Sequence, residues 1–475
     1  MGTVIAAVVV AASGMPQVAH AEVGFDPAAV DRYVEEYAEN AAYPGVAVAI
    51  TKGDRVVHLA GYGTVSTGAG TTSRTRMPIG SVSKSFTALA VLQLADRGAL
   101  DLDAPVRRYV QDFEVADPRS ESITVRHLLS NTSGITDRTL PEKSLDQPAS
   151  PAEAVTRAHR ATLATAPGTA YRYTNTNFHL AARVVERVSG EPYAEYLRRH
   201  VFEPAGMRDT TAITTVPRDL PGDVAKGHIH AYGLSVPATE PDRFVAGADD
   251  VITTAEDMAK WLIVHNNGGR TADGVQLVSA RAVSAMHAPY SPQWTYGLGW
   301  QESNGRVRHN GVWFTFTAGQ LLLPSGYGVA VLTNSGLALG NEGTTAIEDG
   351  IAAVLEGGQP DSSSTRSLVE SVLAALTLLS LVLGVRNLRR TVRWSARPLP
   401  TWQRVLRLAP RAVPLVVLLS LPALLGDLLA HGRDITGYQL AHYSLALVVW
   451  VLVASVMNLA VLVTRVWTLR RLRAA

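Results

Sequence analysis

The sequence predicts an α+β domain followed by an all-α membrane region of three helices. Three observations lead there. Alternating β-branched residues lie near the start of the domain, and similar strand-like runs lie near its end. The long stretch between them reads mainly as helix and loop. Beyond a Gly/Pro/Ser linker, three apolar stretches are each long enough to cross a bilayer. Strands distant in sequence then share one antiparallel sheet flanked by helices, with a mainly helical region inserted.

Taken in order, Val4–Ala12 is an apolar run and Ala19-His20-Ala21 fits a small-x-small cleavage site, so residues 1–21 are expected to be a signal peptide. The globular domain spans 22–356. "GVAVAITKGDRVVHLAGYG" (Gly45–Gly63) alternates as a hairpin that turns at Lys52-Gly53-Asp54. A helix is expected to open at Ser81, with Val82, Phe86, Leu89, Ala90 and Leu94 at the 3.6 period and Gly98 past its end. "APGTAYRYTNTNFHLAARVVE" (Ala166–Glu186) leaves a proline-glycine loop and enters an amphipathic helix. "YGLGWQES", "RVRHNG", "TFTAGQLLLP" and "GYGVAVLTN" follow as strands, and Glu342–Leu355 as a helix.

"EGGQPDSSSTR" (Glu356–Arg366) sets the linker at 357–366. The membrane region, 367–475, has spans expected at Ser367–Val385, Ala412–Leu429 and Ala441–Val463. Between the first two lie Arg386, Arg389, Arg390, Arg393, Arg397, Arg404, Arg407 and Arg411 with no acid, and the tail carries Arg465, Arg470, Arg471 and Arg473. The loop between the second and third has only Arg433, offset by Asp434. The positive-inside rule places the arginine loop and the C-terminus in the cytoplasm and the globular domain outside a plasma membrane. Glu370, Asp427 and Asn458 are read as interfacial or inter-helical polar groups, and "TWQRVLRLAPR" (Thr401–Arg411) as a basic amphipathic helix on the inner leaflet.

A formal charge of +2 supplies no basic stripe for nucleic acid. The absence of cysteine excludes disulfides, thiolate metal sites and a cysteine nucleophile. His228 and His230 share a strand face, but no acid lies at ligand spacing, so neither a metal nor a cofactor is expected.

The chain has five lysines against 38 arginines, and one of them, Lys84, follows Ser81 by three residues. A desolvated lysine can lose its proton and act as a base, which arginine cannot. Three residues apart on a helix, the Lys84 amine can reach the Ser81 hydroxyl. Tyr173 and Asn175 place a phenol and an amide two residues apart, able to shuttle a proton and orient the lysine. His309-Asn310-Gly311 ends a strand whose glycine lets another backbone approach.

Ser-x-x-Lys, Tyr-x-Asn and His-x-Gly in this order resemble the serine β-lactamase and penicillin-binding-protein superfamily, in the branch of class C β-lactamases, D-alanyl-D-alanine carboxypeptidases and esterases. "ITVRHLLSNTSGI", "VFEPAGMRDT", "VITTAEDMAKWL" and "YGLGW" extend the likeness over about residues 25–356. The resemblance implies a β-lactamase-like fold and an acyl-enzyme. It makes Ser81 the nucleophile, Lys84 and Tyr173 the general base, Asn175 an orienting group, and His309 with Gly311 the substrate strand. The backbone N–H groups of Ser81 and Val312 become the oxyanion hole.

The third motif is His-Asn-Gly where penicillin-recognising members commonly have Lys-Thr-Gly. An ordinary histidine is mostly neutral at pH 7, so binding of a β-lactam or of a free D-alanine carboxylate should weaken, which tilts the reading toward esters, amides or peptides bound through other groups. "HNGVWFTF" predicts a bulkier, aromatic rim. The expected activity is that of a membrane-anchored extracytoplasmic serine hydrolase acting on a peptide of D-amino-acid type, an amide or an ester. Alternatives are a β-lactamase, a prodrug-maturing D-peptidase and a non-turnover penicillin-binding sensor. The expected partners are a small-molecule or peptide substrate and the lipid bilayer.

Overall fold

The computed structural model describes residues 25–340, 343–428 and 432–474. The expected signal peptide and Glu342 lie outside the described residues. A six-stranded antiparallel sheet runs in the order Gln301–Ser303, Arg306–Val312, Thr317–Leu322, Tyr327–Thr333, Gly45–Lys52, Arg55–Gly63. The first hairpin therefore joins the last strands, with Val48 opposite Val331. Alternation sorts the faces. Val46, Val48 and Ile50 pack against the helices Pro27–Asn40 and Thr345–Leu355, while Ala47 and Ala49 face the larger core. The stretch between the two halves of the sheet supplies helices and short strand pairs.

Two local differences from the expected elements have backbone causes. Only Gln301–Ser303 of "YGLGWQES" is a strand. Gly299 sits at φ 74°, a left-handed conformation that breaks the extended run. Ser81 lies in a single 3₁₀ turn, Gly80–Val82, and the α-helix proper is Ser83–Asp96. That helix is buried on nearly every side rather than amphipathic, with Phe86 stacked 3.8 Å from Trp261. Gly98 at φ 73° ends it as expected.

The turn that carries Ser81 is clamped to the sheet edge by two glycines. A Cβ on Gly80 would fall 2.6 Å from the Val312 nitrogen. One on Gly311 would collide with the Ile79 carbonyl and lie 3.0 Å from the Ser81 nitrogen. Only bare backbone lets the two strands of chain meet this closely.

Among the described residues, three helices are long and apolar enough to cross a membrane: Arg366–Arg389, Thr401–Leu428 and Leu445–Leu472. The third begins at Leu445 rather than Ala441. Thr436 and Gln439 form a capping box on a separate short helix, Gly437–Tyr443, and Ser444 (φ −159°, ψ 82°) breaks it from the span. The polar groups of the spans find partners. Asn458 accepts from Arg411 at 2.8 Å, an inter-helical bond. Asp427 pairs with Arg138 at 2.7 Å, and Glu370 accepts from the Tyr232 backbone N–H, so both acids tie the helices to the globular domain. Arg366 donates to His230 Nδ1 at 2.6 Å. His230 is thus engaged by the membrane region, while His228 Nδ1 lies 3.0 Å from the Asn334 carbonyl.

Gly311→Ala should displace backbone on both sides of the clamp and cost about 1–3 kcal/mol. Thermal unfolding of the full chain should show a lowered midpoint, and an unchanged midpoint would contradict the clamp.

Candidate active site

Lys84 is 0 % exposed, on the first turn of a helix whose every neighbour is packed. Its amine lies 2.8 Å from Ser81 Oγ, 2.9 Å from Asn175 Oδ1, 2.9 Å from the Ala248 carbonyl and 3.3 Å from Asp249 Oδ1. Ser81 itself is half-buried at the floor of a cavity of about 450 Å³. Burial lowers the Lys84 amine to about 8; Asp249 opposes the fall and the Arg433 charge adds to it. A substantial share of the amine is then neutral near pH 7.5, as a base requires.

Asn175 opens the helix Asn175–Ser189 and spans two partners, accepting from Lys84 and donating to Asp249 Oδ2 at 3.0 Å. Tyr173 precedes it in the loop, with its ring centre 5.0 Å from the Lys84 nitrogen. Burial raises its phenol, Asp249 adds to the rise, and Arg433 and Ser81 act against it, so it stays protonated at rest. His309 Nδ1–H donates to the Asn310 carbonyl at 2.8 Å, which leaves Nε2 to accept from the Tyr296 hydroxyl at 3.0 Å. Burial, with the Lys84 charge adding to it, lowers this imidazole to about 3, so it is neutral at pH 7. The Ser81 and Val312 nitrogens lie either side of the Gly80–Gly311 clamp.

The structure thus brings Ser81, Tyr173, Asn175, His309 and Val312 to the lining of one cavity, with Lys84 buried behind Ser81 and Gly311 packed against the Ser81 turn. It also adds residues that the sequence reading missed. Ser81 Oγ donates to Asp249 Oδ1 at 2.8 Å. Arg243 holds the other carboxylate oxygen at 3.1 Å. Burial alone would raise this carboxyl, but Lys84, Arg243 and Ser81 hold it well below the usual carboxylate range. The signal was "GADDV", two acids inside an apolar stretch, passed over in favour of the "VITTAED" that follows.

The aromatic rim expected from "HNGVWFTF" is only partly there. Phe314 lines the cavity, but Trp313 turns inward and donates to the Asp249 carbonyl at 2.8 Å, and Phe316 joins the core. The opposite wall comes from the C-terminal helices and the loop between them: Leu425, Arg433, Ile435, Leu440 and Tyr443.

The family model described as Beta-lactamase matches residues 30–352. This chain belongs to the Beta-lactamase family. The chain is 28 % identical over 313 residues to "Protein flp" of Staphylococcus aureus (strain MW2), a match covering 64 % of this chain and 62 % of that protein. The structure of the octameric penicillin-binding protein homologue from Pyrococcus abyssi superposes with a TM-score of 0.60 at 27 % identity, covering 74 % of this chain and 82 % of that one. The penicillin-binding protein from Bacillus halodurans shares the fold, with a TM-score of 0.57 at 22 % identity over 69 % of this chain and 98 % of that one. The Beta-lactamase fold, with its antiparallel sheet and flanking helices, is as the sequence predicted.

In this family member a serine, a depressed lysine amine and a carboxylate share hydrogen bonds, which suits attack by Ser81 on a carbonyl carbon. Among Ser81, Lys84, Tyr173, Asp249 and His309, Lys84 is the group whose titration falls near neutrality. An amine takes up a proton only in its neutral form, so acylation by an activated ester should rise with pH and reach half its plateau near the Lys84 value of about 8. Lys84→Met should lower that rate by about 10²–10⁴-fold. A profile flat from about two units below to about one unit above the Lys84 value of about 8 would count against the lysine as base.

Proposed function

We propose that this chain is a membrane-anchored serine hydrolase that works through an acyl-enzyme on Ser81. The observation that carries the reading is the fully buried Lys84 amine, 2.8 Å from Ser81 Oγ. Ser81 Oγ attacks the substrate carbonyl and forms the C–O bond, while its proton passes to the neutral Lys84 amine. The oxyanion takes hydrogen bonds from the Ser81 and Val312 N–H groups. The carbonyl–leaving-group bond then breaks, and the proton returns from Lys84 to the leaving amine or alcohol with Tyr173 as relay. Water attacks the acyl carbon in the same way, releasing the acid and free Ser81. Asn175 and Asp249 hold the amine in register throughout.

The neutral His309 offers no cation to a substrate carboxylate, which favours esters, amides or peptides bound through other groups over β-lactams and free D-alanine carboxylates. The arginine-rich segment and tail lie at the ends of the helices away from Asp427 and Arg433, which contact the globular domain. This supports a multi-pass arrangement in a plasma membrane, with the hydrolase outside and the C-terminus in the cytoplasm.

The test is intact mass spectrometry of the full chain in detergent after incubation with a fluorophosphonate. A single adduct in the wild type, absent in Ser81→Ala, is the expected result. Equal labelling of both would overturn the assignment of the nucleophile. A fluorescent penicillin should label the wild type more slowly than the fluorophosphonate does, and rapid stoichiometric labelling would instead favour the penicillin-binding reading.

A further inference from the structure

The loop between the second and third membrane helices reaches into the globular domain. Arg433 Nε donates to Asp137 Oδ2 at 2.6 Å, and a terminal nitrogen lies 3.7 Å from Glu142 Oε1. Both acids are buried, with Asp137 1 % and Glu142 4 % exposed in their side chains. The neighbouring Asp434 fixes the loop from the other side, accepting from the Ser144 backbone and hydroxyl at 2.7 Å each. Lys143 donates to the Asp434 carbonyl at 3.0 Å. The guanidinium carbon then stands 5.0 Å from the Tyr173 ring centre, within cation–π range.

We propose that Arg433 is a positioning residue of the Ser81 site, a fixed positive charge that the membrane region supplies to the Lys84–Tyr173 pair. The proposal rests on the acyl-enzyme reading above. A permanent cation beside two groups that must give up protons favours the deprotonated form of each. Its direction matches the environment of both: the Arg433 charge adds to the burial that lowers Lys84, and acts against the burial and the Asp249 charge that raise Tyr173.

The other charged and titratable groups facing this pair come from every element around it. Asp249 and Asp250 precede the strand Val251–Thr253, Asp137, Glu142 and Lys143 surround Arg433, Tyr296 and Tyr443 stand beside Tyr173 and Arg433, and His179 is on the Asn175 helix. His309 stands on the sheet edge, and Arg243 lies behind Asp249. Arg243 lies on the far side of Asp249, bonded to it at 3.1 Å, and Lys143, 3.8 Å from Asp137, is a second cation of the same loop cluster that the Arg433 variants leave in place. A soluble domain cut at the linker would keep every motif residue and lose this charge.

The experiment is the pH profile of ester acylation by the full chain in lipid nanodiscs. Arg433→Gln should move the rising limb to higher pH by about 0.5–1 unit, a loss of about 3- to 10-fold at pH 7. Arg433→Lys should bring the limb back toward the wild-type position. A Gln variant whose limb overlays the wild type would overturn the proposal, as would a Lys variant displaced as far as Gln. Because Arg433→Gln strands the buried Asp137, the double variant Arg433→Gln/Asp137→Asn supplies a neutral pair that should fold, and its limb should still be displaced. A wild-type limb in that variant also overturns the proposal. Wild-type chain that takes no fluorophosphonate on Ser81 would overturn the acyl-enzyme reading and this one with it, whereas labelled wild type with coincident profiles would overturn the Arg433 role alone.

Discussion

The site depends on one constraint: an amine with no exposed surface must still be able to hold a proton part of the time. Lys84 meets it by being surrounded rather than solvated. Three oxygens lie within 2.9 Å, and a carboxylate lies at 3.3 Å. Fewer partners would strand a buried cation, and a closer carboxylate would hold the proton too tightly for base chemistry. Asp249 is placed between these limits because Arg243 and Asn175 share its charge. The rest of the domain keeps this arrangement fixed: the packed helix below, the glycine clamp beside it, and the aromatic layer of Tyr173, Tyr296 and His309 above.

Docking of the membrane helices onto the domain belongs to the same picture. Arg366, Glu370, Asp427, Arg433, Asp434 and Tyr443 each contact the globular part, so the helices act as more than a tether. With one wall built by the C-terminal helices, the cavity presents two unlike surfaces. The polar surface is the sheet edge with its neutral histidine, and the apolar one is carried by Leu425, Ile435 and Leu440.

The sheet and its helices were legible because alternation and turn chemistry are local. The valines and alanines of Gly45–Lys52 sort to opposite faces in the structure as they do in the sequence. The strand at "YGLGWQES" was overdrawn because Gly299 looks permissive in sequence but is left-handed in place. Ser81, Lys84, Tyr173, Asn175, His309 and Gly311 were nameable because each sits in a short motif with fixed spacing. Asp249 had no spacing relation to Ser81, from which it is separated by most of the helical region. Arg433 was paired on paper with the adjacent Asp434, but a side chain's neighbour in sequence is not its neighbour in space. Asp434 turns to Ser144, and Arg433 reaches Asp137 instead.

The sheet order also fixes a sequence of events during synthesis. Gly45–Lys52 lies inside the sheet, paired on one side with Arg55–Gly63 and on the other with Tyr327–Thr333. Its hairpin emerges first and keeps an open edge while the whole helical middle is made, and an open edge invites pairing with other chains. Closure waits for the last strands, and long-range pairing of this kind is slow. The cavity wall that carries Arg433 arrives later still, after the first two membrane helices. A nascent chain therefore has its serine and lysine long before the cavity around them is closed.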